Sequence, residues 1–184
     1  MNVSACLVTR GDVDLTAILE SLAYDDVVVW DNSKRRNLRT YGRYAAFAEA
    51  RHDVVYVQDD DDILHDHGRL LRAYEPGTIT ANMSSGWVEA HGYQDCAMVG
   101  KGAIMDRTLP AQAFERYLER WPARTMFQLW PDVIVTVLNP VRHVDLETEE
   151  LPWGYAPNRM NRRLRFAEEK QMMLASVRAL RDSA

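Results

Sequence analysis

The chain reads as one α/β domain, a mostly parallel sheet with helices on its faces. Three observations predict it. Strand and helix signals alternate through the first half in the order strand, helix, strand, helix, strand, which calls for right-handed crossovers and a parallel sheet. Each strand ends in a polar turn. Four consecutive aspartates, Asp59 to Asp62, follow the third strand directly.

The elements are justified in order. Val3 to Thr9 is a short apolar run of small and β-branched residues, a buried strand. Asp12 to Leu22 follows with Leu15, Ile18, Leu19 and Leu22 at helical spacing, and Asp12 or Asp14 caps its start. Asp26 to Trp30 is a second strand, stopped by the turn residues Asp31-Asn32-Ser33. Leu38 to Ala50 is read as a helix with Tyr41, Tyr44, Ala45 and Ala48 on one face. Asp53 to Val57 is the third strand. The second half is less regular. His65 to Tyr74 reads as a short helix, Thr78 to Ala81 and Cys96 to Met105 as strands, and Ser84 to Gln94 as a hairpin or a loop. Pro110 and Pro131 each suit the first turn of a helix. Phe114, Tyr117, Leu118 and Trp121 form the apolar stripe of the first, and the second runs over Asp132 to Leu138. Glu147 to Arg165, with Pro152, Gly154 and Pro157, reads as mostly loop, and Phe166 to Leu180 as a terminal helix.

Composition narrows the function. At 184 residues the chain has the size of one domain and buries roughly 70% of its unfolded surface without a staple. Hydrophobic residues are 47% and charged residues 27%, which excludes a disordered or fibrous chain. The net charge of −5 disfavours a nucleic-acid coat. No apolar run approaches the ~20 residues of a membrane span, and the N-terminus lacks a secretory pattern. Cys6 and Cys96 have no metal-site spacing, so a reduced cytoplasmic setting is expected.

In an open parallel sheet, ligands bind beyond the carboxyl ends of the strands. Thr9-Arg10-Gly11, Asp31-Asn32-Ser33 and Gln58 to Asp62 converge on that edge. Four adjacent carboxylates repel unless a cation or solvent neutralises them. Hard divalent cations such as Mg²⁺ or Mn²⁺ take oxygen ligands and bridge to phosphates. Asp59 and Asp61, two apart in an extended segment, point the same way. The competing reading is a solvated acidic turn; the position after an apolar strand, with Ile63-Leu64 following, favours a site.

These elements, with Val54 to Leu64 at their centre, resemble a GT-A-fold glycosyltransferase of the family 2-like group, which carries an Asp-x-Asp motif at a strand end. The resemblance runs in element order over residues 3–145, and the close motif match covers 53–64. It implies a Rossmann-type nucleotide-binding half at 1–64, an acceptor and catalytic half at 65–146, and a loop and terminal helix at 147–184. It implies metal-dependent transfer of a sugar from a nucleotide sugar, a UDP-sugar foremost, to a hydroxyl of a glycan or small molecule. DNA is the disfavoured acceptor, because the chain is acidic. A divalent cation, Mn²⁺ or Mg²⁺, is the implied cofactor.

Residue by residue, the resemblance implies that Asp61 binds the metal and Asp59 the donor ribose or sugar. In the alternative register the pair is Asp62 and Asp60. Thr9 and Arg10 would lie beside the nucleotide, and Asp31 and Asn32 near its base, although an Asx turn explains the latter two equally well. Asp132, at a helix start, is the candidate general base, against the reading of a first-turn acid facing the helix dipole. Pro131 stands where many relatives have Glu. His143 is the candidate third metal ligand, against a surface or core histidine. Gly100 and Gly102 would admit a ligand close to the backbone, or simply form a turn or bulge. Arg159, Arg162 and Arg163 would neutralise the departing diphosphate, against a solvated basic helix start. A nucleotidyltransferase and a non-catalytic nucleotide- or cation-binding module are the alternatives; no P-loop pattern supports the phosphotransferase variant.

Overall fold

The structure is a computed structural model that describes residues 1–122, 124–155, 159 and 162–183. Six strands form one sheet in the order β2-β1-β3-β6-β5-β7. Strand β1 (Val3–Thr9) lies parallel between β2 (Asp26–Asp31) and β3 (Val54–Gln58). Strand β6 (Ala103–Asp106) runs antiparallel to both β3 and β5 (Ile79–Asn82), and β7 (Val141–Val144) is parallel to β5. All strands of this sheet except β6 therefore point the same way, and their carboxyl ends share one edge. A two-stranded antiparallel ribbon, β4 (Asp62–Leu64) with β8 (Thr148–Glu150), stands beside it.

Side-chain alternation sorts the core onto the two faces. Cys6, Val55 and Val57 face one cluster, where they meet Tyr44, Phe47, Phe114, Tyr117, Ile134, Leu174 and Val177. These belong to α2 (Gly42–Ala45) and the turn after it, α5 (Leu109–Arg120), α7 (Pro131–Val137) and α8 (Phe166–Asp182). Ala5, Leu7 and Tyr56 face the other cluster, with Ile18 of α1 (Thr16–Ser21), Leu64 of β4 and Leu70 of α3 (His67–Ala73). Every residue of β1 is buried because helices cover both faces. No helix among the described residues is long and apolar enough to cross a membrane.

Several elements depart from the sequence reading. Leu38 to Ala50 is not one helix: α2 is a single turn between two 3₁₀ turns, Arg39–Tyr41 and Ala46–Ala48. Tyr41, Tyr44 and Phe47 are spaced by three, and a 3₁₀ repeat of three residues per turn keeps such a row on one face. Consecutive rings of the row lie 6.4 and 5.4 Å apart. Ser84 to Gln94 contains a helix, α4 (Ser85–His91), capped by the Ser84 hydroxyl and closed by Gly92 at φ +68°. Only 103–106 of the Cys96 to Met105 run pairs as a strand. The loop before it ends at Gly102, whose φ of +100° suits glycine. The 147–165 stretch contains β8 and a 3₁₀ turn, Pro152–Tyr155, and a helix without a sequence signal, α6 (Arg124–Leu129), precedes Pro131. Pro110 and Pro131 do sit in first turns.

This burial pattern sets a stability contrast. Leu7→Ala, at a fully buried position, is expected to cost about 2–5 kcal/mol. Leu164→Ala, at a side chain that is 90% exposed, should stay within about 0.5 kcal/mol of the parent. Urea denaturation of both variants checks the pair.

Candidate active site

The first two strand-end turns interlock. Asn32 N–H donates to the Thr9 carbonyl at 2.9 Å. Gly11, at φ +80°, lies where a β-carbon would overlap the Ser33 hydroxyl. Asp31 accepts from the Ser33 amide at 2.8 Å and its hydroxyl at 2.6 Å, with Lys34 at 3.1 Å. The Ser33 bonds, aided by Lys34, pull the Asp31 carboxyl down to about 2. Asn32 Oδ1 accepts from Leu38 N–H at 2.8 Å, and its amide donates to the Arg39 carbonyl. Both side chains are thus spent on holding the second turn. Arg10 pairs with Asp12 at the surface.

The four aspartates follow. Residues 60 and 61 form a turn, so the segment is not the extended strand its alternation suggested. The burial still alternates: Asp60 and Asp62 are buried, and Asp59 and Asp61 are partly exposed. Asp60 is clamped. Its carboxylate accepts from Thr9 Oγ1 at 2.8 Å and from Arg159 Nη1 at 2.9 Å, and its carbonyl accepts from Trp153 Nε1 at 2.6 Å. Burial nonetheless keeps its pKa above the ordinary range, against the Thr9 and Arg159 contacts. Asp62 pairs with Lys101 at 3.2 Å, and burial, opposed by Lys101, pushes it up to about 6. Gln58, fully buried, donates to the Asp62 carbonyl at 2.7 Å and so fixes the start of β4. Asp59 pairs with Arg43.

Asp61 differs. No hydrogen bond or ion pair among the described residues engages its carboxylate, while its carbonyl accepts from Leu151 N–H at 2.7 Å. Burial, then repulsion by Asp59, Asp62 and Asp60, drives its carboxyl up to about 7. Its environment consists of like charges, with Arg159 the opposing influence.

Arg43 joins the motif to α7. Its guanidinium, 1% exposed, pairs with Asp59, and its Nη1 lies 3.6 Å from Asp132 Oδ2. Tyr44 Oη donates to Asp132 Oδ1 at 2.8 Å. Burial raises the Asp132 pKa, with Arg43 opposing. Burial alone would lower the Arg43 pKa, but Asp132 and Asp59 hold the guanidinium cationic.

Other candidates lie elsewhere. His143 Nε2 donates to the Cys96 carbonyl at 2.9 Å and lines a cavity of about 440 Å³ with Met83, Val88, Glu89 and Asp145. Among the described residues no group of three or more His, Cys, Asp or Glu side chains is placed to hold a metal, so the set Asp61, Asp62 and His143 is not assembled. Arg163 forms a surface pair with Glu169, and Arg162 is exposed. The glycines make room for protein: a β-carbon at Gly100 would overlap the Asp59 carboxylate, and one at Gly102 would come within 3.1 Å of Tyr56 Oη and 3.2 Å of Leu64 Cδ2. Arg43 and Lys101 were missed as partners of the aspartates. The signal for Arg43 was present, since a lone arginine in the small and aromatic run Tyr41 to Ala48 must find a carboxylate once buried.

The structure of a glucosyl-3-phosphoglycerate synthase from Mycobacterium tuberculosis, in complex with Mg²⁺ and uridine diphosphate, is similar to this chain. The match covers 97% of this chain and 79% of that one, with a TM-score of 0.56 and 11% identity. The fold is GT-A-like. No family model and no curated protein matches the sequence.

The charge imbalance predicts a pH signature. A carboxyl whose pKa is raised from 3.8 to about 7 by folding favours the folded state below the unfolded value and loses that contribution as pH rises. Without divalent cations, the protein should therefore lose stability between about pH 4 and pH 7. Asp61→Asn should flatten the loss and be about 1–2 kcal/mol more stable than the parent at pH 7.5, a range discounted for solvent screening. Urea titrations across this pH range read it directly.

Proposed function

We propose that this chain is a divalent-cation-dependent glycosyltransferase that moves a sugar from a nucleotide-activated donor, a uridine diphosphate sugar foremost, to an acceptor hydroxyl. One observation carries the reading. Asp61 is held at the carboxyl edge of a GT-A-like sheet among three like charges, with no cationic partner among the described residues. A fold neighbour is a synthase in complex with Mg²⁺ and uridine diphosphate.

The donor set suits a hard cation. Every side chain of the aspartate run offers oxygen, and Mg²⁺ is commonly held by one or two carboxylates, with phosphate and water completing its shell. Asp61 would hold it. Asp62 is committed to Lys101 and His143 to the Cys96 carbonyl, so neither is needed as a ligand. When bound, the cation would offset the charge of the diphosphate leaving group.

The chain's own residues do the rest. Asp59, 42% exposed and steadied by Arg43, meets the donor ribose or sugar. Thr9 sets the wall beside the nucleotide by fixing Asp60, and Asp31 and Asn32 shape the second turn without reaching out of it. Arg159 keeps one buried nitrogen, Nη2, without a hydrogen-bond partner among the described residues, a donor that a phosphate oxygen would satisfy. Asp132 accepts the proton of the acceptor hydroxyl; its burial raises its basicity, which suits a general base working near neutral pH.

Two measurements test the proposal. Thermal shift with uridine diphosphate should require Mg²⁺ or Mn²⁺ and vanish in Asp61→Asn. Sugar transfer or donor hydrolysis should fall at least about 100-fold in Asp61→Asn and in Asp132→Asn. A protein that binds no nucleotide sugar, and whose stability ignores divalent cations, sinks the reading. Stabilisation by the cation alone would replace it with a binding module.

A further inference from the structure

Arg43 is the least explicable residue of the fold if it is merely structural. It is the most completely buried charged side chain on the sheet edge, and it is offered to two carboxylates rather than one. Its Nε and Nη1 are buried without hydrogen bonds. A buried cation with unsatisfied nitrogens costs stability, and an apolar side chain of similar volume is often the more stable occupant. Its backbone cannot retreat. Gly42, one residue before it, packs so tightly on the sheet that a β-carbon there would lie 2.6 Å from Trp30 Cδ1 and 2.8 Å from Val8 Cγ2.

We propose that Arg43 is the positioning residue of this site: one guanidinium ties Asp132 to the motif strand through Asp59 and supplies the charge that keeps Asp132 a carboxylate. The inference rests on reading Asp132 as the acceptor base. Every other group facing Asp132 leaves that role open. Tyr44, from α2, donates one hydrogen bond at 2.8 Å. Asp59, at the end of β3, repels it. Tyr93, after α4, feels the Asp132 charge, and Lys170 of α8 attracts it from over the Tyr93 ring, 4.8 Å from the centroid. Burial lowers the pKa of Lys170, so the guanidinium is the cation whose charge does not depend on pH. The arrangement also makes the two carboxylates interdependent. A donor hydroxyl bonded to Asp59 would compete with Arg43 for that carboxylate and leave more of the guanidinium to Asp132.

The test titrates Asp132 directly, by NMR of protein labelled with ¹³C at the aspartate carboxyls, in the parent, Arg43→Gln and Arg43→Lys. Arg43→Gln should raise the Asp132 midpoint by about one pH unit or more, the effect expected of removing an opposite charge at this range. Arg43→Lys, which retains the charge, should stay within about half a unit of the parent. In the transfer assay the acidic limb of kcat should move with the NMR midpoint. An unmoved Asp132 midpoint in folded Arg43→Gln overturns the proposal. If Arg43→Gln does not fold, a rise of a full unit in Arg43→Lys overturns it and an unchanged midpoint there supports it. The NMR result does not need turnover, so a parent protein that transfers no sugar would defeat the functional reading while the role of Arg43 toward Asp132 is still decided.

Discussion

Four carboxylates in a row at the end of a buried strand are the constraint around which this edge of the molecule is organised. Each must be hydrated, paired or neutralised. The fold answers with cations from three separate segments: Arg43 from α2 for Asp59, Arg159 from beyond the Pro152–Tyr155 turn for Asp60, and Lys101 from the loop before β6 for Asp62. The partners span much of the chain, so the local repulsion is relieved only when distant segments have docked. Removing one partner of a buried pair typically costs about 3–5 kcal/mol, because the remaining charge stays behind. Asp60 with Arg159 is the pair that fits this description best, both side chains being less than a tenth exposed. Asp61 is left over, and the negative character of the edge is concentrated there.

Much of the fold was legible because the first half contrasts two periods cleanly. Buried parallel strands such as Val3 to Thr9 read as continuous apolar runs, and the helix between them repeats every three to four residues. The proline starts at α5 and α7 follow from ring geometry alone. What resisted reading was short or tertiary. β4 has three residues and begins with Asp62, a residue disfavoured in strands. It pairs with β8 at Asp62 opposite Glu150, a like-charge match that no local propensity would suggest. Leu38 to Ala50 looked helical because Tyr41, Tyr44, Ala45 and Ala48 share a helical face; the row that packs, Tyr41, Tyr44 and Phe47, has a spacing of three that 3₁₀ turns serve as well.

The placement of the aspartates at the sheet edge was legible, but their partners were not. The position of the aspartates after the third strand located the edge, and burial alternates along them as the spacing implied. Which aspartate lacks a counter-charge could not be read, because Arg43, Lys101 and Arg159 sit 16, 39 and 99 residues from the carboxylates they reach. The glycines illustrate the same limit. Gly100 and Gly102 do mark close approach, as small residues should, but what approaches is Asp59 in one case and Tyr56 with Leu64 in the other. His143 is diverted by the Cys96 carbonyl, a backbone partner that a side-chain pattern does not reveal.

The two buried arginines divide the work of the edge. The segment carrying Arg159 is fastened independently of charge: Leu151 N–H bonds the Asp61 carbonyl, Trp153 Nε1 bonds the Asp60 carbonyl, and β8 pairs with β4. Arg159 Nε donates to the Trp153 carbonyl at 3.0 Å, which aims the guanidinium whatever its terminal nitrogens contact. Its position therefore does not rest on Asp60 alone. Arg43 has the opposite character. No backbone group among the described residues is hydrogen-bonded to its guanidinium, and its ion pairs there are with two carboxylates, Asp59 just after β3 and Asp132 in α7, which hold its charge in common. An edge built this way fixes one cation through a backbone carbonyl and shares the other between the carboxylates of Asp59 and Asp132.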